Sequence, residues 1–351
     1  MSQRSLPAEW APQGAVMLIW PHDRTDWAES LDRVEAAMAA FAAAITRFES
    51  LVVVCRDAGV RQYALERLTG MGCKRAAVAT VIADTDDIWA RDIAPIPVVD
   101  GEFPLLVDCR FNGWGGRFDH AKDAEFGRAL IDTPGFATLG YERAPITLEG
   151  GALDSDGAGS LLVNRPTILD PDRNPELDAA GAEARFRQHF GIERTLWIDV
   201  PALPGDHTDG HIDTLARFCD PATIAYTAAN AAETAAAAPT HAALEQQLAA
   251  LRSADGSPYR LVPLPEPTPI TATDGTPLAA SYTNFLLVNG AVLVPAYADP
   301  TDATAIERLQ ATFPERMVVP VPARTFVEQG GALHCLTMQL PAGIFEDLAL
   351  S

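Results

Sequence analysis

The chain has 351 residues, of which 47 are acidic and 26 basic, and 48% are hydrophobic. Its net charge of −21 argues against nucleic acid or an anionic membrane as a partner and suits a small cation, although acidic, alanine-rich compositions also arise without a binding role. Cys55, Cys73, Cys109, Cys219 and Cys335 are odd in number and lack C-x-x-C spacing, and the apolar run at residues 15–20 is far too short for a signal core or membrane span. A reduced, cytoplasmic globular protein is expected.

In chain order, residues 15–20 form a buried-strand pattern halted by Pro21, and residues 32–48 show alanine-rich helical periodicity. A strand at 51–55, a helix at 60–68 closed by Gly70 and a strand at 78–82 follow, leading into Asp84-Thr85-Asp86-Asp87-Ile88-Trp89. This alternation predicts α/β construction with polar residues gathered at strand ends. Strands at 96–99 and 104–108 flank a turn at Asp100-Gly101. The glycine-rich loop Asn112-Gly113-Trp114-Gly115-Gly116 reads either as a substrate wall or as a tryptophan pinning the loop to the core. A helix is expected at 122–130, strand-like residues 146–148 run into Glu149-Gly150-Gly151, and a turn at 154–159 opens a hairpin with 160–164.

Residues 176–190 read as a helix, 195–200 as a strand, and 228–253 as one or two surface helices interrupted by Pro239. The proline-rich span 263–277 reads as a long loop, followed by strands at 282–288 and 291–294, a helix at 304–313 and a strand at 317–321. Glu149-Gly150-Gly151-Ala152-Leu153 and Gln329-Gly330-Gly331-Ala332-Leu333 are nearly the same five residues. That echo suggests repeated units that set equivalent loops around one centre, hence a closed, propeller-like arrangement within a single domain spanning 1–351.

Cys335 follows the second Gly-Gly pair, where the backbone can turn sharply and present a thiol, and is read as a nucleophile rather than a buried small hydrophobe. In His207-Thr208-Asp209-Gly210-His211-Ile212-Asp213 the two histidines are four apart, which on a helix would suit a metal, but Pro204, Gly205 and Gly210 disfavour a helix. If the segment is extended, His211 and Asp213 share a face, as proton carrier and cation-binding carboxylate. Asp92, near the flat ring of Trp89, offers a second carboxylate, and Arg91 reads as a structural ion-pair partner. Two carboxylates would fix a guanidinium, which is planar and charged, and expose its carbon to a thiolate.

Six motifs in this order, Trp-Ala-Arg-Asp at 89–92, Phe111-Asn112-Gly113-Trp114-Gly115-Gly116, Glu149-Gly150-Gly151, Gly210-His211-Ile212-Asp213, Ser281-Tyr282-Thr283-Asn284-Phe285 and His334-Cys335, make the chain resemble the agmatine deiminase family. That family is related to the bacterial peptidylarginine deiminases of the guanidine-modifying pentein superfamily. The resemblance runs from about Trp20 to Gln339. It implies a five-bladed α/β propeller with pseudo-fivefold repeats, an axial active site, no cofactor or metal, and a homodimer. It also implies Cys335 as nucleophile, His211 as proton shuttle, and Asp92 and Asp213 as guanidinium-binding carboxylates, with Trp89, Trp114, Glu149 and Asn284 around a small cationic guanidine substrate. The reaction so implied hydrolyses agmatine to N-carbamoylputrescine and ammonia through a covalent thiouronium. His207 stands where family members often carry an acidic residue, and Asp86 where asparagine is frequent. Free arginine or a peptide C-terminal arginine therefore stays open as substrate; a metal-dependent hydrolase and a non-catalytic polyamine-binding protein are the readings from other classes.

Overall fold

A computed structural model describes residues 4–101, 103–229 and 235–342. Among these residues, five three- or four-stranded sheets repeat one plan. In each, a first strand pairs antiparallel with a second, and the second pairs parallel with a third after a helical crossover. The sets are Ile96–Asp100, Phe103–Arg110 and Gly140–Thr147; Asp154–Ser155, Ser160–Asn164 and Arg194–Ile198; and Ala216–Asp220, Thr223–Ala228 and Arg260–Pro265. The fourth set is Leu286–Val288, Ala291–Ala296 and Met317–Pro322. In the fifth, Thr337–Pro341 pairs with Gln13–Ile19, which continues through Ser50–Cys55 to Val78–Ile82, so the two ends of the chain meet in one sheet.

The central strands are covered on both faces and read as continuous apolar runs for that reason, as in Leu51 to Val54, all fully buried, whereas outer strands such as Met317–Pro322 are partly exposed. Crossover helices start and stop where their ends are satisfied locally. Asp57 accepts from the N–H groups of Gly59 and Val60 to begin Ala58–Gly70, and Asp178 accepts from Gly181 to begin Ala179–Phe190, which ends on left-handed Gly191 at φ 70°.

Several expectations need correction. Pro239 begins the helix Ala238–Ala250 rather than interrupting it, since a first-turn N–H needs no partner within the helix; part of the expected span, 230–234, lies outside the described residues. The span read as a loop contains the end of Arg260–Pro265, an edge strand that tolerates Pro263 and Pro265, and the small hairpin Ile270–Thr271 with Pro277–Leu278. Residues 282–285 turn before the strand starts at Leu286. Ala216–Asp220, Thr223–Ala228 and Thr337–Pro341 are further strands, for which the sequence pattern predicts no element. Among the described residues no helix is long and apolar enough to cross a membrane.

Candidate active site

The chain passes from one sheet to the next through five connections, and each ends in a tight turn carrying one or two of the expected site residues. Asp92 is on Ala90–Ile93, Glu149 immediately precedes Gly150–Ala152, and His211 precedes Ile212–Leu215, which carries Asp213. Asn284 lies in the turn at 281–284 and Cys335 in that at 333–336. Neighbouring turns are tied together: Gly151 N–H donates to Asp92 Oδ1 (3.0 Å), Thr283 Oγ1 to the Asp213 carbonyl (3.1 Å), His334 N–H to the Asn284 side chain (3.0 Å) and Arg91 N–H to the Cys335 carbonyl (3.1 Å).

Cys335 is buried, and its thiol donates to Asp213 Oδ2 at 3.3 Å while accepting from Asn284 Nδ2 at 3.1 Å. Burial, and then the negative charge of Asp213 and Asp92, push this thiol well above its ordinary range. The resting group is therefore a thiol, and an arriving cation would favour the thiolate.

His211 is wholly buried, with Nδ1 3.7 Å from Asp92 Oδ1 and Nε2 3.7 Å from Glu149 Oε2. Among the described residues neither ring nitrogen has a hydrogen-bond partner, and Asp213 Oδ1 is likewise buried and unpartnered. Burial pulls the imidazolium down, but Asp92, Glu149 and Asp213 outweigh it and raise the group to about 9, so His211 carries a proton at neutral pH. Burial raises Asp92 to about 6 against the opposing pull of His211. Glu149 stays below the usual carboxylate range despite burial, because His211 and the buried Arg173, 2.9 Å away, hold its charge. These groups converge on Gly151, where an added Cβ would lie 2.6 Å from His211 Nδ1, 2.8 Å from Asp92 Oδ1 and 3.1 Å from Asp213 Oδ2. Gly331, its counterpart in the repeated five residues, similarly leaves room for the Trp89 ring and Cys335. The sequence echo thus marks two glycines that keep the reaction centre open.

A cleft lined by Asp26, Asp87, Trp89, Trp114, Phe118 and His207 reaches Cys335 and Asp92. Trp89 Nε1 donates to Asp87 Oδ2 (2.9 Å) and Trp27 Nε1 to Asp87 Oδ1 (3.1 Å), which fixes the Trp89 ring; burial lifts this carboxyl to about 6. Trp114, held at φ 54°, donates to Asp92 Oδ2 at 3.0 Å and packs edge-on to Phe111. The glycine-rich loop is therefore a site wall whose tryptophan also orients a carboxylate.

All eight expected residues, Cys335, His211, Asp213, Asp92, Trp89, Trp114, Glu149 and Asn284, are brought to this centre. The basis for two of them changes. His211 and Asp213 do not alternate along an extended strand; Ile212–Leu215 is one helical turn, and its curvature turns both side chains inward. His207 does not join His211 as a metal pair: it is exposed beside the Phe118 ring, whereas His211 is buried, and among the described residues no group of three or more His, Cys, Asp or Glu is arranged to hold a metal ion. Arg91 does form the expected ion pair, with Glu9 at 3.4 Å. Sequence reasoning missed Glu9, Arg173 and Arg217. Only Glu9 had a local signal, as a lone carboxylate just before the first buried strand.

Known proteins resemble this chain over nearly its whole length. The family model for Porphyromonas-type peptidyl-arginine deiminases matches residues 5–341. The agmatine deiminase of Stutzerimonas stutzeri (strain A1501) is 33% identical over 363 residues, covering 96% of this chain and 95% of the relative. A protein of Porphyromonas gingivalis taken to be an arginine deiminase superposes with TM-score 0.87 at 40% identity, over 97% of this chain and 99% of its own. The C. jejuni agmatine deiminase with substrate bound also superposes with TM-score 0.87, at 27% identity and over 97% and 96% of the two chains. The fold is the α/β pentein fold of these structural neighbours. With its five turns, its buried thiol and this match over nearly its whole length, the chain belongs to the Porphyromonas-type peptidyl-arginine deiminase family.

Proposed function

We propose that this protein is an agmatine deiminase, hydrolysing agmatine to N-carbamoylputrescine and ammonia on Cys335. The observation that carries this reading is the set of unpartnered buried atoms around one point, namely both nitrogens of His211 and Asp213 Oδ1, within reach of a thiol and a second carboxylate. A guanidinium supplies the N–H donor that Asp213 Oδ1 lacks, and the His211 proton has no acceptor until a leaving amine is bound. The five like-patterned sheets and the four hydrogen-bonded ties between neighbouring turns support five blades around a central axis, the arrangement that sets all five turns at one site.

Asp92 and Asp213 hold the guanidinium, whose charge lets the Cys335 thiol release its proton to solvent. The thiolate attacks the guanidinium carbon, giving a neutral tetrahedral adduct. His211, protonated at rest, gives its proton to one NH2 group, which leaves as ammonia, and a cationic thiouronium remains on sulfur. Neutral His211 then takes a proton from water as that water attacks the same carbon. Collapse breaks the carbon–sulfur bond and yields the ureido product, while the remaining proton restores the thiol. Asn284, which donates to sulfur, stabilises the thiolate both as nucleophile and as leaving group. Trp89 and Trp114 flank the alkyl chain, and the exposed Asp26 carboxylate at the cleft faces its terminal ammonium.

Among the described residues no lysine or arginine lines this cleft, so the α-carboxylate of free arginine, or of a peptide C-terminal arginine, would enter an acidic wall without a cation to pair with. The test is ammonia and ureido-product formation from agmatine, arginine and a peptide ending in arginine. Turnover of agmatine, abolished by Cys335→Ala, is the expected result; turnover of arginine in preference, or activity retained in Cys335→Ala, refutes the reading.

A further inference from the structure

Behind Cys335 runs a buried chain of groups that the chemistry above does not use. His334 is fully buried; its Nδ1 is 2.8 Å from Asp213 Oδ2 and its Nε2 2.7 Å from Glu9 Oε1. Glu9 comes from the N-terminal segment and is held in turn by Arg217, by Gln339 Nε2 at 3.0 Å and by Arg91 at 3.4 Å. The charged and titratable groups facing His334 are therefore Glu9, Asp213, Arg91, Arg217 and the adjacent Cys335.

A neutral imidazole has only one N–H. Contacts of this length from both nitrogens to two carboxylates require a proton in each, so the chain Glu9–His334–Asp213 holds two; otherwise a ring lone pair would face a carboxylate lone pair. Burial, Arg217 and Arg91 hold the ring below the ordinary imidazole range in spite of Glu9 and Asp213, so the second proton belongs to the chain Glu9–His334–Asp213 as a whole rather than to the ring. Asp213, independently, meets His334 and the thiol through Oδ2 alone, while its buried Oδ1 has no partner among the described residues. Pinned through one oxygen, the carboxylate presents the other to the site.

We propose that His334 and Glu9 are positioning residues for Asp213: the imidazole, anchored at its far nitrogen by Glu9, fixes Oδ2 and so leaves Oδ1 free to face a guanidinium. The functional consequence rests on the deiminase reading; the geometry does not. His334 and the Cys335 thiol share Asp213 Oδ2, so the hydrogen bond from His334 also draws off part of the negative charge that opposes the thiolate.

The experiment uses the full chain with Glu9→Gln, which keeps shape but removes charge, and His334→Asn, which keeps a donor near the Nδ1 position but loses the link to Glu9. The pH dependence of Cys335 alkylation by iodoacetamide and of kcat/KM for agmatine are both measured. In each variant the alkylation profile is expected to move to higher pH, the acid limb of kcat/KM to move up, and kcat/KM at neutral pH to fall on the order of tenfold to a hundredfold. A purely structural role would lower thermal stability and leave both profiles in place. Alkylation and kcat/KM profiles of folded His334→Asn that superimpose on wild type overturn the proposal, and this variant decides alone if Glu9→Gln does not fold. Shifted alkylation in a protein that turns over no guanidine supports the positioning and sinks the agmatine reading; agmatine turnover with unshifted profiles does the reverse.

Discussion

Alanine in place of Gly151 would put one methyl group where the reacting groups converge. Its carbon would lie 2.6 Å from His211 Nδ1 and 2.8 Å from Asp92 Oδ1, so the imidazole would have to recede by roughly 0.8 Å, and the carboxylate by somewhat less, to regain ordinary contact. The backbone does not resist the change, because Gly151 is not among the glycines with positive φ. Overpacking costs about 1–3 kcal/mol, and the lower entropy of the unfolded chain offsets about 0.4–1 kcal/mol of it. The variant is therefore expected to fold with a modest loss of thermal stability. Catalysis is far less tolerant: displacing a proton donor by close to 1 Å costs on the order of a hundredfold. Ammonia release from agmatine gives kcat/KM, thermal unfolding gives stability, and Gly70→Ala, in the helix Ala58–Gly70 with no atom within 4 Å of the new carbon, is the control. A Gly151→Ala enzyme within about threefold of wild type would refute the convergence of these groups, since that loss is well below the expected cost.

The pH–rate profile should be bell-shaped. Activity falls below about 6, where Asp92 takes up a proton and stops holding a cation, and above about 9, where His211 loses the proton it gives to departing ammonia. A profile flat from pH 5 to 10 would contradict both roles. Trp114→Phe removes the donor 3.0 Å from Asp92 Oδ2, so the acid limb should move to higher pH and kcat/KM at pH 6 should drop about tenfold; an unmoved limb would refute this. Arg173→Met leaves Glu149 buried without the guanidinium that spans it, Asp170 and Asp209, at a cost of about 3–5 kcal/mol, read as a lower denaturant midpoint. Treatment with a chelator should leave turnover unchanged, because His207 and His211 do not meet; loss of activity restored by added metal would revive the hydrolase alternative.

Which parts of this organisation were legible follows from the range of the forces involved. The strands Val78–Ile82 and Ser160–Asn164 could be read to the residue, because an apolar run bounded by turn-formers is a local signal. Arg260–Pro265 could not, since its prolines argue against a strand until an edge position is known. The reacting groups were readable by type, because a thiol, an imidazole and carboxylates beside glycine turns are the pieces a guanidinium requires. How they face one another was not: the extended reading of His211 and Asp213 gave way to a single helical turn whose direction is fixed by the sheets on either side.

The sequence by itself determined the local alternation of strands and helices, the glycine turns and the chemical kinds of the site residues, all of which depend on neighbours a few positions away. Tertiary structure alone decided the charge states and partners of the buried centre. Glu9 meets His334 across 325 residues and Arg217 across 208, and Asp92 meets Trp114 across 22. Removing such groups from water makes each charge depend on whichever partner the fold brings near, and no local pattern in a chain encodes that partner.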